Sequence, residues 1–199
     1  MNETLTSVAM AAGLSWASGV RLYMALFAAG LFGRIGWLTL PESLRVLELP
    51  WVLGITGTLL VAEFLADKVP GFDSVWDAVH TFIRIPAGAI LAAAAMGQMD
   101  PAWVAVAGIL GGAMATGAHA TKAGSRALIN TSPEPFSNWT ASFSEDTVAA
   151  GALWAAFFHP WILFGFLAIF LLFAAWLLPR LWRGLRQLLN RPMNRSRGI

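Results

Sequence analysis

Long apolar stretches divide the chain into helices that could cross a membrane. A bilayer core about 30 Å thick needs roughly 20 apolar helical residues, and we predict spans over 5–32, 51–67, 75–96, 102–123, 144–158 and 161–178. Residues 130–145, rich in Pro, Ser, Thr and Asn, are interpreted as a loop. The pattern predicts an all-α fold, a polytopic membrane helix bundle of about six transmembrane helices over 1–179, with a basic tail over 180–199.

Composition favours a membrane location. The chain is 57% hydrophobic and only 12% charged, and it has ten tryptophans but one tyrosine, which suits anchoring at bilayer interfaces. The absence of cysteine excludes disulfides and thiolate metal sites. The first ten residues, MNETLTSVAM, lack the basic region of a cleaved signal peptide. We therefore expect the first apolar stretch to remain as a membrane helix.

Basic residues collect at the carboxyl end, where no acid follows Asp146. The positive-inside rule therefore predicts a multi-pass membrane protein with a cytoplasmic C-terminus. Counting back through six helices places the N-terminus, Lys68, Lys122 and Arg126 on the same side. We expect the tail to contact anionic membrane lipids, and we expect no nucleic-acid partner. Its arginines are Arg180, Arg183, Arg186, Arg191, Arg195 and Arg197.

Charged and histidine side chains recur within or at the ends of the apolar stretches. A charge at membrane depth costs about 2.5–3.5 kcal/mol on insertion scales, so it normally faces a bundle interior, a partner or water. A polar membrane site is therefore the leading hypothesis. Its candidate residues are Arg21, Glu63, Asp67, Asp77, His80, Arg84, His119, Lys122 and Arg126.

Glu63 and Asp67 are four residues apart and therefore share one helix face. Two like charges repel, and burial of such a pair favours the binding of a proton or a cation. The alternative is that both carboxylates lie at the membrane interface, with Asp67 solvated beside Lys68. Glu63 lies deeper in the apolar run, and for this residue the functional interpretation is preferred.

Two polar stripes have the spacing i, i+3, i+7 of a single helix face. The stripe in the third helix can align a carboxylate, an imidazole and a guanidinium along a path, with the histidine titrating near neutral pH. The basic stripe in the fourth helix could bind an anion. The alternatives are a first helical turn among the lipid head groups and basic side chains that extend to the interface. The stripes are Asp77, His80 and Arg84 in the third helix and His119, Lys122 and Arg126 in the fourth.

A short internal similarity relates the two halves of the chain. Residues 17–21, ASGVR, resemble residues 122–126, KAGSR. Each segment lies in the opening helix of a predicted three-helix half. This raises the alternative of two inverted repeats, as in transporters whose sites lie at the repeat interface, although a chance match competes with it.

Enzyme chemistry is not favoured by the sequence. The three histidines do not form an H-E-x-x-H pattern, and no G-x-S-x-G motif is present. We expect no cofactor. A carboxylate–histidine metal site between helices and a homo-oligomeric assembly both stay open.

Several segments together resemble a known family. They are 62–77 (AEFLADKVPGFDSVWD), 80–88 (HTFIRIPAG), 18–21 (SGVR) and 115–119 (ATGAH), with Lys122 and Arg126 downstream. The chain is similar over nearly its whole length to a family of bacterial integral membrane proteins, with relatives in plant plastids, that is catalogued as a domain of unknown function. The resemblance implies a membrane location and no established activity.

The preferred function is transport of a small polar or anionic solute, with proton coupling left open. Basic residues would attract the solute, while the acids and histidines would carry protons or cations. Close pairing of the acids with the bases would satisfy the membrane cost without transport. The sequence is also compatible with a lipid-handling protein, a membrane-embedded metalloenzyme, or a structural or partner-binding membrane protein.

Overall fold

The chain folds into helices throughout the part that the structure describes. The structure is a computed structural model that describes residues 3–69, 72–129 and 135–189, and no strand occurs in these ranges. The all-α prediction is therefore confirmed there, while the end of the predicted tail lies outside the described residues. The helices are α1 (Glu3–Arg34), a short 3-10 helix (Glu42–Glu48), α2 (Pro50–Ala66), α3 (Phe72–Ala95), α4 (Pro101–Ile129), α5 (Pro135–Phe158) and α6 (Pro160–Leu189).

By length and composition alone, and with α1 counted as one continuous helix, four of these helices could cross a membrane. They are α1, α3 over Val75–Ala95, α4, and α6 over Pro160–Arg183. The 3-10 helix and α2 qualify together as a fifth, with a bend of 70° between them. The predicted count of six spans is not confirmed, because α5 does not qualify by the same criterion. The first half of α5 is polar in sequence.

α5 begins earlier than the sequence predicted. We expected a loop over 130–145 and a helix from 144, whereas the helix starts at Pro135. The polar residues Asn138, Ser142 and Glu145 recur at i, i+4 and i+7 and therefore share a helix face. This face turns towards charged partners inside the bundle, so a polar composition typical of a loop belongs here to a packed helix.

α1 is broken at Arg21. The backbone of this residue is extended (φ −143°, ψ 76°), whereas the residues on either side are helical. Residues 3–20 and 22–34 are therefore two separate helices, called here the first and second parts of α1. The predicted span 5–32 is not one straight helix.

The two parts of α1 run in opposite directions. Gly13 in the first part packs so closely on Ala156 that a Cβ would overlap it, and the rings of Phe32 in the second part and Phe157 are 6.0 Å apart. A straight helix would separate residues 13 and 32 by about 28 Å, but both contact adjacent residues of α5. α1 thus enters the bundle, reverses at Arg21 and returns to the end from which it came.

Small residues allow α1, α3 and α4 to pack closely. A Cβ on Gly88 would overlap Ala115, and one on Gly111 would overlap Ala92. A hydroxyl fixes the first part of α1 against the same surface, since Ser15 Oγ donates to the carbonyl of Gly88 at 3.2 Å. Close backbone approach through small residues is typical of helix packing in membranes.

The bundle has two different ends. At the charged end, α2 and α4 finish, α3 and α5 start, and the break of α1 faces them. Both termini of α1 lie at the opposite end, where Ser43 of the 3-10 helix donates a hydrogen bond to the Ala94 carbonyl near the end of α3 at 2.5 Å. The predicted inverted repeat is not confirmed: α1 is broken at 17–21, whereas α4 is continuously helical through 122–126.

Candidate functional site

Charged side chains from five helices meet at the break of α1. This group, called the charge cluster, contains four bases that are each at most 2% exposed and five acids, the most exposed of which is 18% exposed. Every base has a carboxylate partner within 4 Å. The members are Arg21 (α1), Glu63 (α2), Asp67 (just after α2), Asp77 and Arg84 (α3), Lys122 and Arg126 (α4), and Glu145 and Asp146 (α5).

Arg84 is the most deeply buried base and bridges two acids. Its Nη2 lies 2.5 Å from Oε1 of Glu63 and its Nη1 lies 2.6 Å from Oδ1 of Asp77, and the Arg84 side chain is completely buried. Asp77 and Arg84 are seven residues apart, two turns along one face of α3. A buried guanidinium is tolerated only when it is paired and hydrogen-bonded, and here it is held from two helices.

Asp67 gathers three bases around one oxygen. Its Oδ2 forms an ion pair with Arg21, lies 3.2 Å from Nζ of Lys122, and is 3.9 Å from Nη2 of Arg126. Asp67 is the residue at which α2 ends, so the helix end places its carboxylate directly beside the break of α1. Asp67 is therefore not a solvated interfacial acid, because it is fully buried.

Lys122 connects the ion pairs around Asp67 with those around Arg84. Its Nζ lies 3.2 Å from Asp67 and 3.2 Å from Oδ1 of Asp77, which also accepts from Arg84. The same ammonium donates at 3.3 Å to the carbonyl of Val20, the last residue before the break. Helix ends leave carbonyls without intrahelical hydrogen-bond partners. Lys122 on α4 therefore supplies a donor to a carbonyl at the break of α1.

α5 adds acids and polar groups that face the same point. Nε of Arg21 lies 2.9 Å from Oδ1 of Asp146. Arg126 makes a two-pronged contact with Glu145, with Nε–Oε1 2.8 Å and Nη2–Oε2 2.9 Å, the strongest geometry for this pair of groups. Arg126 also donates to the side-chain oxygen of Asn138.

The two candidate histidines lie at the margin of the cluster. His119 contacts the Thr81 hydroxyl through Nε2 at 2.6 Å, and its Nδ1 is 3.4 Å from Arg84. His80 Nδ1 donates to the Trp76 carbonyl at 2.8 Å, because a carbonyl can only accept. None of these three contacts involves a carboxylate.

The other nitrogen of His80 faces α1. Its Nε2 lies 3.1 Å from the hydroxyl of Tyr23, and since Nδ1 carries the proton in the neutral ring, the tyrosine hydroxyl donates here. The predicted stripe of Asp77, His80 and Arg84 is thus divided. The acid and the arginine pair with each other, and the histidine faces the second part of α1.

The cluster has unused hydrogen-bonding capacity on both its acids and its bases. Within the part of the chain that the structure describes, three of its carboxylate oxygens have no hydrogen-bond partner, Oε2 of Glu63, Oδ1 of Asp67 and Oδ2 of Asp146. Nε of Arg84 also has none, whereas Nε and Nη1 of Arg21 lack hydrogen bonds but form ion pairs with Asp146 and Asp67. The cluster also contains one more acid than base, which leaves a formal excess of one negative charge when all nine side chains are ionised. Uptake of a proton or a cation would balance that charge.

Lys68 lies at the edge of the cluster, at the charged end. Its ammonium lies 3.0 Å from the ring centroid of Phe64 and 3.4 Å from the Ser142 hydroxyl. Desolvation by burial lowers the pKa of Lys68, although the nearby carboxylate of Asp146 opposes this. The position connects the cluster to the surface of the bundle.

The structure brings together seven of the nine predicted site residues within the cluster and places the two histidines beside it. The sequence interpretation missed Glu145 and Asp146, and also Asn138, Ser142 and Tyr23, which contact the cluster or its neighbours. The signal was available in α5 as the i, i+4, i+7 spacing of 138, 142 and 145. Within the described ranges, no group of three His, Asp or Glu residues could hold a metal ion.

Long apolar helices that pack around buried ion pairs define a polytopic membrane protein. The chain belongs to the family described as "Domain of unknown function (DUF4126)", whose model matches residues 8–180. The resemblance to a domain family of unknown function is thereby confirmed. No curated protein and no solved structure matches the chain.

Proposed function

We propose that the protein transports a small anionic or polar solute across the membrane together with protons, and that the charge cluster is its site. The observation that carries this proposal is the coincidence of the break of α1 with nine charged side chains. Interrupted helices whose ends meet buried charges are the usual construction of solute sites in secondary transporters. Placing charges within a membrane is also costly in free energy, so their presence there favours a functional role.

The pairing around Arg84 suggests how protons and solute are coupled. Glu63 and Asp77 occupy the guanidinium when both are ionised. If Glu63 takes up a proton, its neutral acid releases one side of Arg84, and an anionic oxygen of the solute can bind there. The proton and the anion enter together because the net charge of the site is then unchanged. A solute without a proton would have to compete with a buried carboxylate.

The distribution of basic residues supports an orientation for this transporter. Lys68 and the arginines at the end of α6, Arg180 and Arg183, lie at the charged end. We propose that this end faces the cytoplasm of a bacterial inner membrane, in agreement with the positive-inside rule.

Proton flux in liposomes tests the proposal. The purified protein is reconstituted with a trapped pH-sensitive dye, and small organic and inorganic anions are added from outside one at a time. We expect one anion class to accelerate proton entry at least tenfold over empty liposomes. Arg84→Lys keeps the charge but loses the planar, two-sided geometry, and we expect it to abolish the effect of the anion.

Arg45→Gln is the matched control, because Arg45 is an exposed base at the opposite end. We expect it to leave the flux unchanged. If no anion changes proton entry while the reconstituted protein remains folded, the proposal is wrong and the cluster is a structural ion-pair network. Equal loss of flux in Arg84→Lys and Arg45→Gln would also contradict it.

A further inference from the structure

An apolar groove runs along the side of the bundle, away from the charge cluster. It encloses about 680 Å³ between the first part of α1, α4 and α6, with the end of α3 at one extremity. This feature is called the α1–α4–α6 groove. Its length follows from α4, since Trp103 and Gly117 both line it and lie about 21 Å apart along the helix axis.

The walls of the groove carry almost no polar groups. Among its lining residues, only Ser15 and Trp103 have a polar side-chain atom, and none is charged. The hydroxyl of Ser15 is already satisfied, since it donates to the carbonyls of Ala11 at 2.5 Å and Gly88 at 3.2 Å. A buried water needs two to four polar partners, so water is a poor occupant of this space.

The groove is closed at one extremity and accessible along its side. Towards the charged end, α4 and α6 meet so closely that a Cβ on Gly124 would overlap Leu181. Along the side, Leu110 of α4 and Leu171 of α6 line the groove and yet are 63% and 51% exposed. These residues lie in membrane-spanning helices, so the side of the groove opens towards lipid tails and not towards water.

We propose that the α1–α4–α6 groove binds one acyl chain of a membrane phospholipid. The core of one leaflet is about 15 Å thick, half of the roughly 30 Å bilayer core, so the groove can accommodate a chain over its whole length. The chain enters from the opposite end, where Trp103 lies at the start of α4 as an interfacial tryptophan would. Because no charged residue lines the groove, binding depends on the acyl chain and not on the head group. This proposal does not depend on transport by the charge cluster.

Two glycines allow a matched test. A Cβ at Gly117, which lines the groove, meets no atom within 4 Å, and the same is true of Gly165 on α6, which does not line it. Gly117→Leu therefore fills the groove with a side chain at little steric cost to the backbone. Gly165→Leu makes the same chemical change on a lipid-facing surface.

Native mass spectrometry of protein released from nanodiscs measures the retained lipid. With phosphatidylcholine nanodiscs, we expect the unmodified protein to keep one lipid at activation energies that remove the surrounding lipids. Gly117→Leu should lower this retained fraction at least tenfold, Gly117→Ala less, and Gly165→Leu should match the unmodified protein. Replacing phosphatidylcholine by phosphatidylglycerol should leave the result unchanged.

Size-exclusion chromatography and circular dichroism establish that each variant is folded. If Gly117→Leu does not fold, the comparison of Gly117→Ala with Gly165→Leu decides. The proposal is overturned if the unmodified protein retains no lipid, or if folded Gly117 variants retain it as well as the unmodified protein. Equal loss in Gly165→Leu, or retention of phosphatidylglycerol alone, would also overturn it.

Discussion

The two ends of the bundle use arginine in opposite ways. At the charged end Arg84 is completely buried and is held by two carboxylates. At the opposite end Arg34 is exposed and donates to the carbonyl of Glu48 at 3.1 Å. Water can replace the partner of an exposed base, but nothing replaces the partner of a buried one. A buried arginine at the charged end therefore needs a carboxylate partner, whereas an exposed arginine at the opposite end does not.

The charged end and the helix contacts between the two ends are stabilised by different interactions. The charged end depends on the satisfaction of buried charges, whose net contribution against an apolar replacement can be small. The helix contacts between the ends depend on close approach through Gly88 and Gly111, where dispersion contacts replace the hydrophobic effect that is absent within lipid. Substitutions in the two regions should thus destabilise the protein for different reasons, unpaired buried charge in one and overpacking in the other.

The largest effect is expected at Arg84. Arg84→Ala leaves Glu63 and Asp77 buried without their main partner, and we expect the free energy of unfolding to fall by about 3–5 kcal/mol. Unfolding in mixed detergent micelles, followed by circular dichroism, measures this loss. A cost below about 1 kcal/mol would mean that the two carboxylates are satisfied without the arginine. The triple variant with Glu63→Gln and Asp77→Asn should recover part of the stability.

An intermediate effect is expected where α3 and α4 touch. In Gly111→Ala the new methyl group meets Ala92 and lies about 2.8 Å from Ser15 Oγ, so we expect a cost of about 1–3 kcal/mol from overpacking. Gly117→Ala on the same helix has open space around it and should not be destabilising. The same micelle unfolding measures both variants, and equal stability of the two would contradict this close packing at Gly111.

The smallest effect is expected at Arg34. Arg34→Ala removes one exposed hydrogen bond to a backbone carbonyl, and we expect the free energy of unfolding to change by less than about 1 kcal/mol. The variant is the direct counterpart of Arg84→Ala. If both arginine substitutions cost the same, burial does not distinguish the two ends of the bundle.

Much of the helical pattern could be predicted from the sequence. An apolar stretch long enough to cross a membrane must satisfy its backbone hydrogen bonds internally, and a helix does this within one segment. The prediction for 75–96 agrees closely with α3. Seven of the nine charged residues of the cluster were also recognisable, since residues such as Glu63, Asp67 and Arg84 interrupt otherwise apolar runs. Their pairing was not, because it depends on which helices are neighbours.

The break of α1 could not be predicted from local sequence. Residues 17–21 contain Gly19 but no proline, and the apolar pattern continues without interruption on both sides. The break is supported by partners distant in the chain, Lys122 at the Val20 carbonyl and Asp67 and Asp146 around Arg21. Local propensity is readily overridden by such contacts. The early start of α5 was missed for a related reason, since its polar face is buried only in the assembled bundle.

The reversal of α1 is the central claim, because it places Arg21 beside the acids at the end of α2 and on α5. Single cysteines introduced into this cysteine-free chain can be labelled with a membrane-impermeant maleimide from either side of oriented vesicles. We predict that Glu3→Cys and Ile35→Cys react from the same side and that Trp182→Cys, at the far end of α6, reacts from the other. Labelling of Glu3→Cys and Ile35→Cys from opposite sides would contradict the reversal, since α1 would then cross the membrane as a single span.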